Sequence, residues 1–267
     1  MTTRVGVIGV TGRMGLELLK ALHNADGAQL SAALARTGHP ALGKDAGLMA
    51  GLLPAGVPVS SDLATALAGL DVAIDFSRAD AVAATADGCA AAGVALMVGT
   101  TGLDAATQAR LDAAARRVPV LLAANTSLAL NVLLELVQRA ARALPAGYDI
   151  EITEAHHRHK VDAPSGTALA LGDAAAAGRD VPLTRPVPLT GAVSGPRQAG
   201  IGFSVVRGGD VVGEHDVRFL GTGEQLRLSH VATDRAIFAR GAVAASLWLA
   251  KQPPGRYRMS DFLFPGQ

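Results

Sequence analysis

The stretch Arg4-Val5-Gly6-Val7-Ile8-Gly9-Val10-Thr11-Gly12-Arg13-Met14-Gly15 decides the fold. Arg4–Val10 is a short, almost wholly apolar run, which reads as a strand buried on both faces. Three glycines follow at the spacing Gly-x-x-Gly-x-x-Gly. Then comes Gly12–Asn24, with Leu16, Leu19 and Leu22 on one face, which reads as an amphipathic helix. A strand that turns on glycines into a helix brings backbone close to a pyrophosphate and points the helix's free N–H groups at it. Gly9, Val10, Thr11, Gly12, Arg13, Met14 and Gly15 are therefore the expected phosphate cradle of a dinucleotide.

Such sites commonly carry Asp or Glu at the end of the second strand, about 20 residues on, to hold a ribose 2′-hydroxyl. Here the second strand, Gln29–Arg36, ends in Leu34-Ala35-Arg36. An arginine in that place suits a 2′-phosphate, so NADPH is favoured over NADH. Further apolar runs at Val57–Val59, Val72–Phe76, Ala95–Val98 and Val118–Ala123 alternate with helical segments Ala64–Leu70, Ala79–Ala92 and Asp104–Arg116. This alternation predicts a doubly wound parallel sheet of Rossmann type. Ligands of such sheets lie beyond the carboxyl ends of the strands. That places Gly99, Thr100 and Thr101, and Ala123, Ala124, Asn125 and Thr126, on the nicotinamide side.

After Asn125 the pattern changes. A helix over Leu130–Leu144 stops before Pro145, and Tyr148–Ala155 alternates with period two. Gly202–Val206 and Val211–His215 read as strands joined by the turn signal Arg207-Gly-Gly-Asp210. Arg218–Phe219 and Gln225–His230 read as further strands. The stretch Arg179–Gly200, rich in Pro and Gly, reads as a loop. These elements predict a second α+β domain with a mixed, mostly antiparallel sheet over residues 128–235. The apolar helix Ala236–Ala250 is expected to return to the first domain, residues 1–127 with 236–267.

Composition narrows the function. The 267 residues are 49% apolar but only 3% aromatic, so Ala, Val and Leu must build the core. A net charge of +1 argues against nucleic acid or an anionic membrane as the main partner. No apolar run reaches the roughly 18 residues that span a bilayer. The single cysteine, Cys89, excludes an internal disulfide framework and fits a reducing, cytoplasmic setting. It reads as a small buried hydrophobe.

The chemistry concentrates in Glu154-Ala-His-His-Arg-His-Lys-Val-Asp-Ala-Pro-Ser-Gly-Thr-Ala168. Three imidazoles, a guanidinium and an ammonium fall between His156 and Lys160. Like charges repel, so this density makes sense where an anionic substrate is bound and protonated. His156 and His157 would face opposite sides of a continuing strand. His157-x-His159 has the look of a ligand pair, but no Cys lies in the segment, a His-Glu-x-x-His pattern is lacking and Lys160 adjoins it, so no metal is expected. Pro164-Ser-Gly-Thr167 opens a helix over Ala168–Ala177. Ser165 or Thr167 is suited to cap it, and its N-terminal N–H groups, with Gly166, suit a carboxylate.

The segment Glu154–Ala168 resembles the signature of the 4-hydroxy-tetrahydrodipicolinate reductase family, formerly dihydrodipicolinate reductase, of diaminopimelate and lysine biosynthesis. The resemblance extends through Gly9–Gly15, Asp75-Phe-Ser, Gly99-Thr-Thr-Gly102, Ala123-Ala-Asn125, Gly213-Glu-His215 and Gly241-Ala to Trp248. It implies hydride transfer from NAD(P)H to C4 of a cyclic dicarboxylate, with the two domains closing over the ligands. His156 and Lys160 stand at the family's proton-donating positions. His157, Lys160, Ser165, Gly166 and Thr167 stand at its substrate positions, and Arg235 is expected to help neutralise carboxylates. The family is generally a homotetramer built through second-domain sheets. Two positions depart from its pattern: Ala35, where Glu is frequent, and Thr126, where Phe is frequent. The first points away from strong NADH use. Two other functions remain open on the residues alone: a non-catalytic dinucleotide-binding regulator, or a related reductase of another imine or oxo acid.

Overall fold

The computed structural model describes residues 2–183 and 200–266, in two compact units: Met1–Leu128 with Ala236–Gln267, and Ala129–Arg235.

The first unit is built on seven parallel strands: β1 (Thr3–Ile8), β2 (Ala28–Leu34), β3 (Val59–Ser60), β4 (Val72–Asp75), β5 (Ala95–Val98), β6 (Pro119–Leu122) and β11 (Gly255–Tyr257). Their order is β11-β6-β5-β4-β1-β2-β3. The chain winds outward from β1 through β2 to β3, then returns to lay β4 on the other side of β1. Strand order reverses there, and a reversal leaves a crevice beyond the strand ends. The turns after β1, β4 and β5 open onto it.

Helices cover both faces because the central strands are apolar on both. On one side α1 (Arg13–His23) and α8 (Ala236–Leu249) bury Leu18, Leu19, Leu22, Val243 and Leu249 against Val5, Val7, Ile74 and Met97. On the other, α3 (Leu63–Leu67), α4 (Ala79–Ala92) and α5 (Ala105–Ala114) cover Ile8, Ala73, Leu96, Val98 and Val120. Asp62 and Asp104 cap α3 and α5, accepting from the Thr65 and Thr107 N–H groups at 3.1 and 2.8 Å. Cys89 is fully buried, and burial with the nearby Asp75 pushes its thiol up, so it is an inert core residue.

Two glycines of the opening stretch are demanded by contact. Gly9 has φ 83°, and a Cβ there would lie 2.6 Å from the Phe76 carbonyl oxygen. A Cβ on Gly15 would lie 2.4 Å from the carbonyl oxygens of both Gly9 and Val10. The loop is thus pressed between α1 and the turn after β4, with no room for a side chain at either position.

The second unit is a four-stranded sheet in the order β10-β9-β7-β8, with β7 (Asp149–His156), β8 (Ile201–Arg207), β9 (Gly213–Gly221) and β10 (Glu224–Ala232). Helices α6 (Leu128–Ala143) and α7 (Gly166–Arg179) bury Leu130, Leu133, Val137 and Leu171 against Ile150, Ile152, Val217 and Phe219.

Several expected elements differ. β2 ends at Leu34, so Ala35 and Arg36 lie beyond the strand. Val211–His215 and Arg218–Phe219 belong to the single strand β9. The Arg207–Asp210 turn does not join neighbouring strands, because β7 lies between β8 and β9. β7 and β8 are parallel, since the connection through α7 is long enough to return the chain in the same direction. The short α2 (Ala46–Met49), β11 and α9 (Met259–Leu263) carry too little periodicity to be read from sequence. The loop expected over Arg179–Gly200 is helical at Arg179, and its residues 184–199 lie outside the described residues.

Replacing Gly15 by Ala should cost about 1–3 kcal/mol, the usual range for overpacking. Denaturant unfolding measures this, and a midpoint equal to wild type would mean that the loop yields to the added methyl.

Candidate active site

Period-two alternation makes one strand face chemically uniform, and in the second unit that face changes character along its length. Facing the helices, Ile150 pairs with Phe219 and Ile152 with Val217; the next pair is Glu154 with His215, which in turn opposes His230. His156 pairs with Arg207 across the parallel ladder. The apolar face thus ends in a polar patch, covered by the start of α7.

Glu154 is the centre of that patch, with 1% of its surface exposed. Its Oε1 accepts from the Ser165 N–H at 3.0 Å and from Arg207 Nη2 at 2.7 Å. Its Oε2 accepts from Arg207 Nη1 at 2.8 Å and lies 2.5 Å from His156 Nδ1. Burial raises the Glu154 carboxyl, but the hydrogen bonds from Arg207, His156 and Ser165 outweigh burial and hold it below the usual carboxylate range. Arg207 is fixed in turn: Nη2 also donates to the Asp162 carbonyl and Nη1 to the Val206 carbonyl.

His156 ends β7, buried, with its ring 5.1 Å edge-on from that of His215. A Cβ on Gly213 would stand 3.1 Å from His156 Nε2, so the glycine leaves that nitrogen its space. Ser165 caps α7: its Oγ accepts from the Ala168 N–H at 3.1 Å and lies 3.2 Å from His215 Nε2. Burial, then the charge of His156, pushes the His215 imidazole down to about 4. Lys160 reaches Asp162 Oδ1 at 2.8 Å, and this ammonium holds the Asp162 carboxyl below its ordinary range. Arg235 Nη2 lies 3.5 Å from His157 Nε2.

The expected substrate-side residues thus divide by environment. Ser165, Gly166 and Thr167 form the start of α7, Glu154 ties His156 to it, and His157 and Lys160 lie beside Arg235 and Asp162. Ser165, however, is buried with its hydroxyl committed to α7 and His215. Gly166 is exposed at the first residue of α7. The His157 and His159 rings lie 6.3 Å apart, and among the described residues no group of three or more His, Cys, Asp or Glu has the arrangement of a metal site.

The cofactor side in the first unit fits a dinucleotide. Gly12 caps α1 without a side-chain bond, and the first turn has no acidic residue, so the helix start offers its N–H groups and partial positive charge to an anion. Within the loop, Val10 is fully buried and Met14 packs on the same core, so their side chains belong to the core and leave only backbone to the expected cradle. Arg36 is exposed just past β2. Asp75, fully buried at the end of β4, accepts from the Ser77 N–H at 2.8 Å and from the Ser77 and Thr100 hydroxyls at 2.6 and 3.1 Å. It ties the turn after β4 to Gly99-Thr100-Thr101. Asn125 Oδ1 accepts from the Ser127 N–H at 2.9 Å. Thr126 turns its hydroxyl to the Phe238 carbonyl at 2.6 Å and is 2% exposed, so its side chain belongs to the packing of α8.

The sequence motifs contain Glu154, Asp75, Gly213 and His215 but give them no role; their burial and pairing assign it. Arg207 carries no local signal, because only the β7–β8 register brings it to Glu154.

A glycine turn at a strand-order reversal, with a cationic, histidine-rich patch on a separate α+β unit, defines the class as a nicotinamide-dependent oxidoreductase. Residues 3–126 match the model described as "Dihydrodipicolinate reductase, N-terminus", and residues 129–263 match "Dihydrodipicolinate reductase, C-terminus". The 4-hydroxy-tetrahydrodipicolinate reductase of Anaeromyxobacter dehalogenans is 50% identical over 98% of this chain and 97% of its own. That of Alkalilimnicola ehrlichii is 48% identical over 98% and 99%. Among solved structures, a dipicolinate-bound dihydrodipicolinate reductase from Paenisporosarcina sp. TG-14 aligns with a TM-score of 0.80 at 25% identity, over 99% of this chain and all of that one. An amine dehydrogenase from Mycobacterium smegmatis shares the fold at 18% identity and a TM-score of 0.63. The chain belongs to the dihydrodipicolinate reductase family.

Because His215 has a folded-state value near 4 against an ordinary 6.5, the unfolded chain binds more protons between those values. Its contribution to stability is complete above about pH 6.5 and is lost as pH falls towards 4, on the order of 3 kcal/mol at 1.36 kcal/mol per unit. The depressed Glu154 acts in the same direction. Denaturant unfolding at several pH values across that window should show the fall, and His215→Gln should flatten it.

Proposed function

We propose that this protein reduces 4-hydroxy-tetrahydrodipicolinate to tetrahydrodipicolinate with NAD(P)H, in diaminopimelate and lysine biosynthesis. The observation that carries this reading is the intact Glu154–Ala168 segment, folded into a cation-rich patch around the buried Glu154, His156 and Ser165, in a chain half identical to named reductases over nearly its whole length. The first unit takes the cofactor and the second the substrate. When bound, the reduced nicotinamide supplies a hydride to substrate C4; the substrate hydroxyl leaves as water and one proton is taken up.

The residues of the second unit serve the rest of that balance. Lys160 meets a substrate carboxylate, which replaces Asp162 as its partner. Gly166 and Thr167, at the positive end of α7, and Arg235 with His157, bind the remaining anionic oxygens. Ser165 acts by holding the helix start in place. His156 presents Nε2 to the ring and donates the proton, with Lys160 as second donor. Preformed cations cost no reorganisation when substrate arrives.

On the cofactor side, Gly9 to Gly15 hold the pyrophosphate, and Gly99 to Thr101 and Ala123 to Asn125 hold the nicotinamide ribose and carboxamide. At Thr126 only the backbone is turned to this role. Arg36 receives the 2′-phosphate, so NADPH is preferred. The cytoplasm is the compartment that suits one buried thiol and a reduced nicotinamide. The helix-free face of the second unit's sheet carries Val206 and Val231, 52% and 59% exposed, and supports assembly as a homotetramer.

Coupling the protein to an upstream synthase that makes the substrate from pyruvate and aspartate semialdehyde tests the reaction through nicotinamide absorbance. Oxidation should depend on both substrate and protein, and its absence despite cofactor binding would leave a non-catalytic regulator. His156→Gln and Lys160→Met should each lower kcat about 100-fold or more with the fold retained. In the same assay Arg36→Ala should raise the KM for NADPH about tenfold, the worth of one charge-assisted hydrogen bond, and leave that for NADH unchanged.

A further inference from the structure

The donors around Glu154 are not equivalent, and the difference bears on His156. At Oε1 the carboxylate meets a backbone N–H, from Ser165 at 3.0 Å, and a guanidinium N–H, from Arg207 Nη2 at 2.7 Å. Neither group is able to accept a hydrogen bond. At Oε2 it meets Arg207 Nη1 at 2.8 Å and His156 Nδ1 at 2.5 Å. An ionised carboxylate only accepts, so the imidazole nitrogen must donate. Nε2 then remains as the ring's other nitrogen, in the space left by Gly213.

We propose that Glu154, clamped by Arg207, is a positioning residue that keeps the proton of the His156 imidazole on Nδ1, so that Nε2 is the nitrogen exchanging a proton with substrate. The proposal rests on the reading of His156 as proton donor. The balance is simple. The doubly protonated ring gives its Nε2 proton to the reduced substrate and becomes the neutral Nδ1–H form, which is the form the carboxylate already holds. Solvent then returns a proton to Nε2. Ring and carboxylate need not move between the two states.

Arg207 fixes the carboxylate rather than the imidazole. Its fork spans both Glu154 oxygens, while the Asp162 and Val206 carbonyls hold the fork from behind. One arginine therefore links the end of β8, the segment before α7 and the acid that orients the ring. His215, edge-on to the same ring at 5.1 Å, fixes its plane from the neighbouring strand.

The geometry gives Glu154→Gln a definite outcome. If the amide NH2 took the Oε1 position it would face two donors that cannot change. At the Oε2 position it faces one such donor and an imidazole that is able to move its proton. The amide therefore settles with NH2 towards His156, and the ring shifts to the Nε2–H form, the wrong tautomer for the step.

The test uses the full-length protein labelled with 15N-histidine, in mildly alkaline buffer where imidazoles are ordinarily neutral. Two-bond 1H–15N correlations identify the tautomer, and His156→Gln assigns the signal. The expected result is Nδ1–H in wild type and Nε2–H in Glu154→Gln. The variant's kcat should fall at least 100-fold with little change in KM for NADPH or substrate, and by less than threefold when added to His156→Gln. Nε2–H in wild type, Nδ1–H in the variant, or an equal loss in both backgrounds would overturn the proposal. The wild-type spectrum decides alone if the variant does not fold. Full turnover in His156→Gln would instead sink the reading of His156 as donor, while the tautomer result still judges Glu154.

Discussion

The second unit is organised around one buried ion pair, Glu154 with Arg207. A carboxylate removed from water is costly unless its oxygens are filled, and losing one partner of such a pair is costlier still. Here four donor groups fill them, from three parts of the chain: His156 of β7 itself, both arms of Arg207 at the end of β8, and Ser165 at the start of α7. The pair thereby fixes where α7 begins and which way His156 faces. Lys160 sits on the loop that the same arginine holds through the Asp162 carbonyl. A patch made of like charges stays assembled because a buried anion, Glu154, is placed beneath it.

The first unit uses a comparable device with less charge. Asp75 gathers Ser77 and Thr100, joining the turns after two adjacent strands. Gly9 allows the first turn to lie against the second without a side chain between them. Three loops that share no sequence continuity become one rigid rim at the point where strand order reverses. Precise placement on rigid elements is what hydride transfer asks of a scaffold.

Much of this was legible in the sequence, for identifiable reasons. The central strands are continuous apolar runs because both of their faces are covered, and Ala79–Ala92 was readable to the residue because Gly93 in the left-handed conformation stops it. The division of labour inside the glycine loop was not readable. Val10 and Met14 look like their neighbours in the motif, and only packing shows that their side chains serve the core. Thr126 likewise reads as a binding residue until Phe238 is found holding its hydroxyl. The second sheet was misjudged in its connections, since a turn signal such as Arg207–Asp210 reports a change of direction but not which strand lies alongside. Arg207 was missed for the same reason: pairing between β7 and β8 is non-local, and no spacing within the chain encodes it.

The first unit is made from both ends of the chain, with the second unit's residues between them. Helix α8 packs on α1 and on the central strands, and β11 completes the sheet beside β6. During synthesis the residues of the second unit are made before those last elements. Until then β6 is a bare sheet edge, and the apolar faces of α1, β4 and β5 that α8 covers stand open to water. Such surfaces invite wrong partners while the chain is growing. Nascent chains therefore depend on the segment from Ala236 onward to end that exposure, and a chaperone acting on this protein would be needed until that segment has docked.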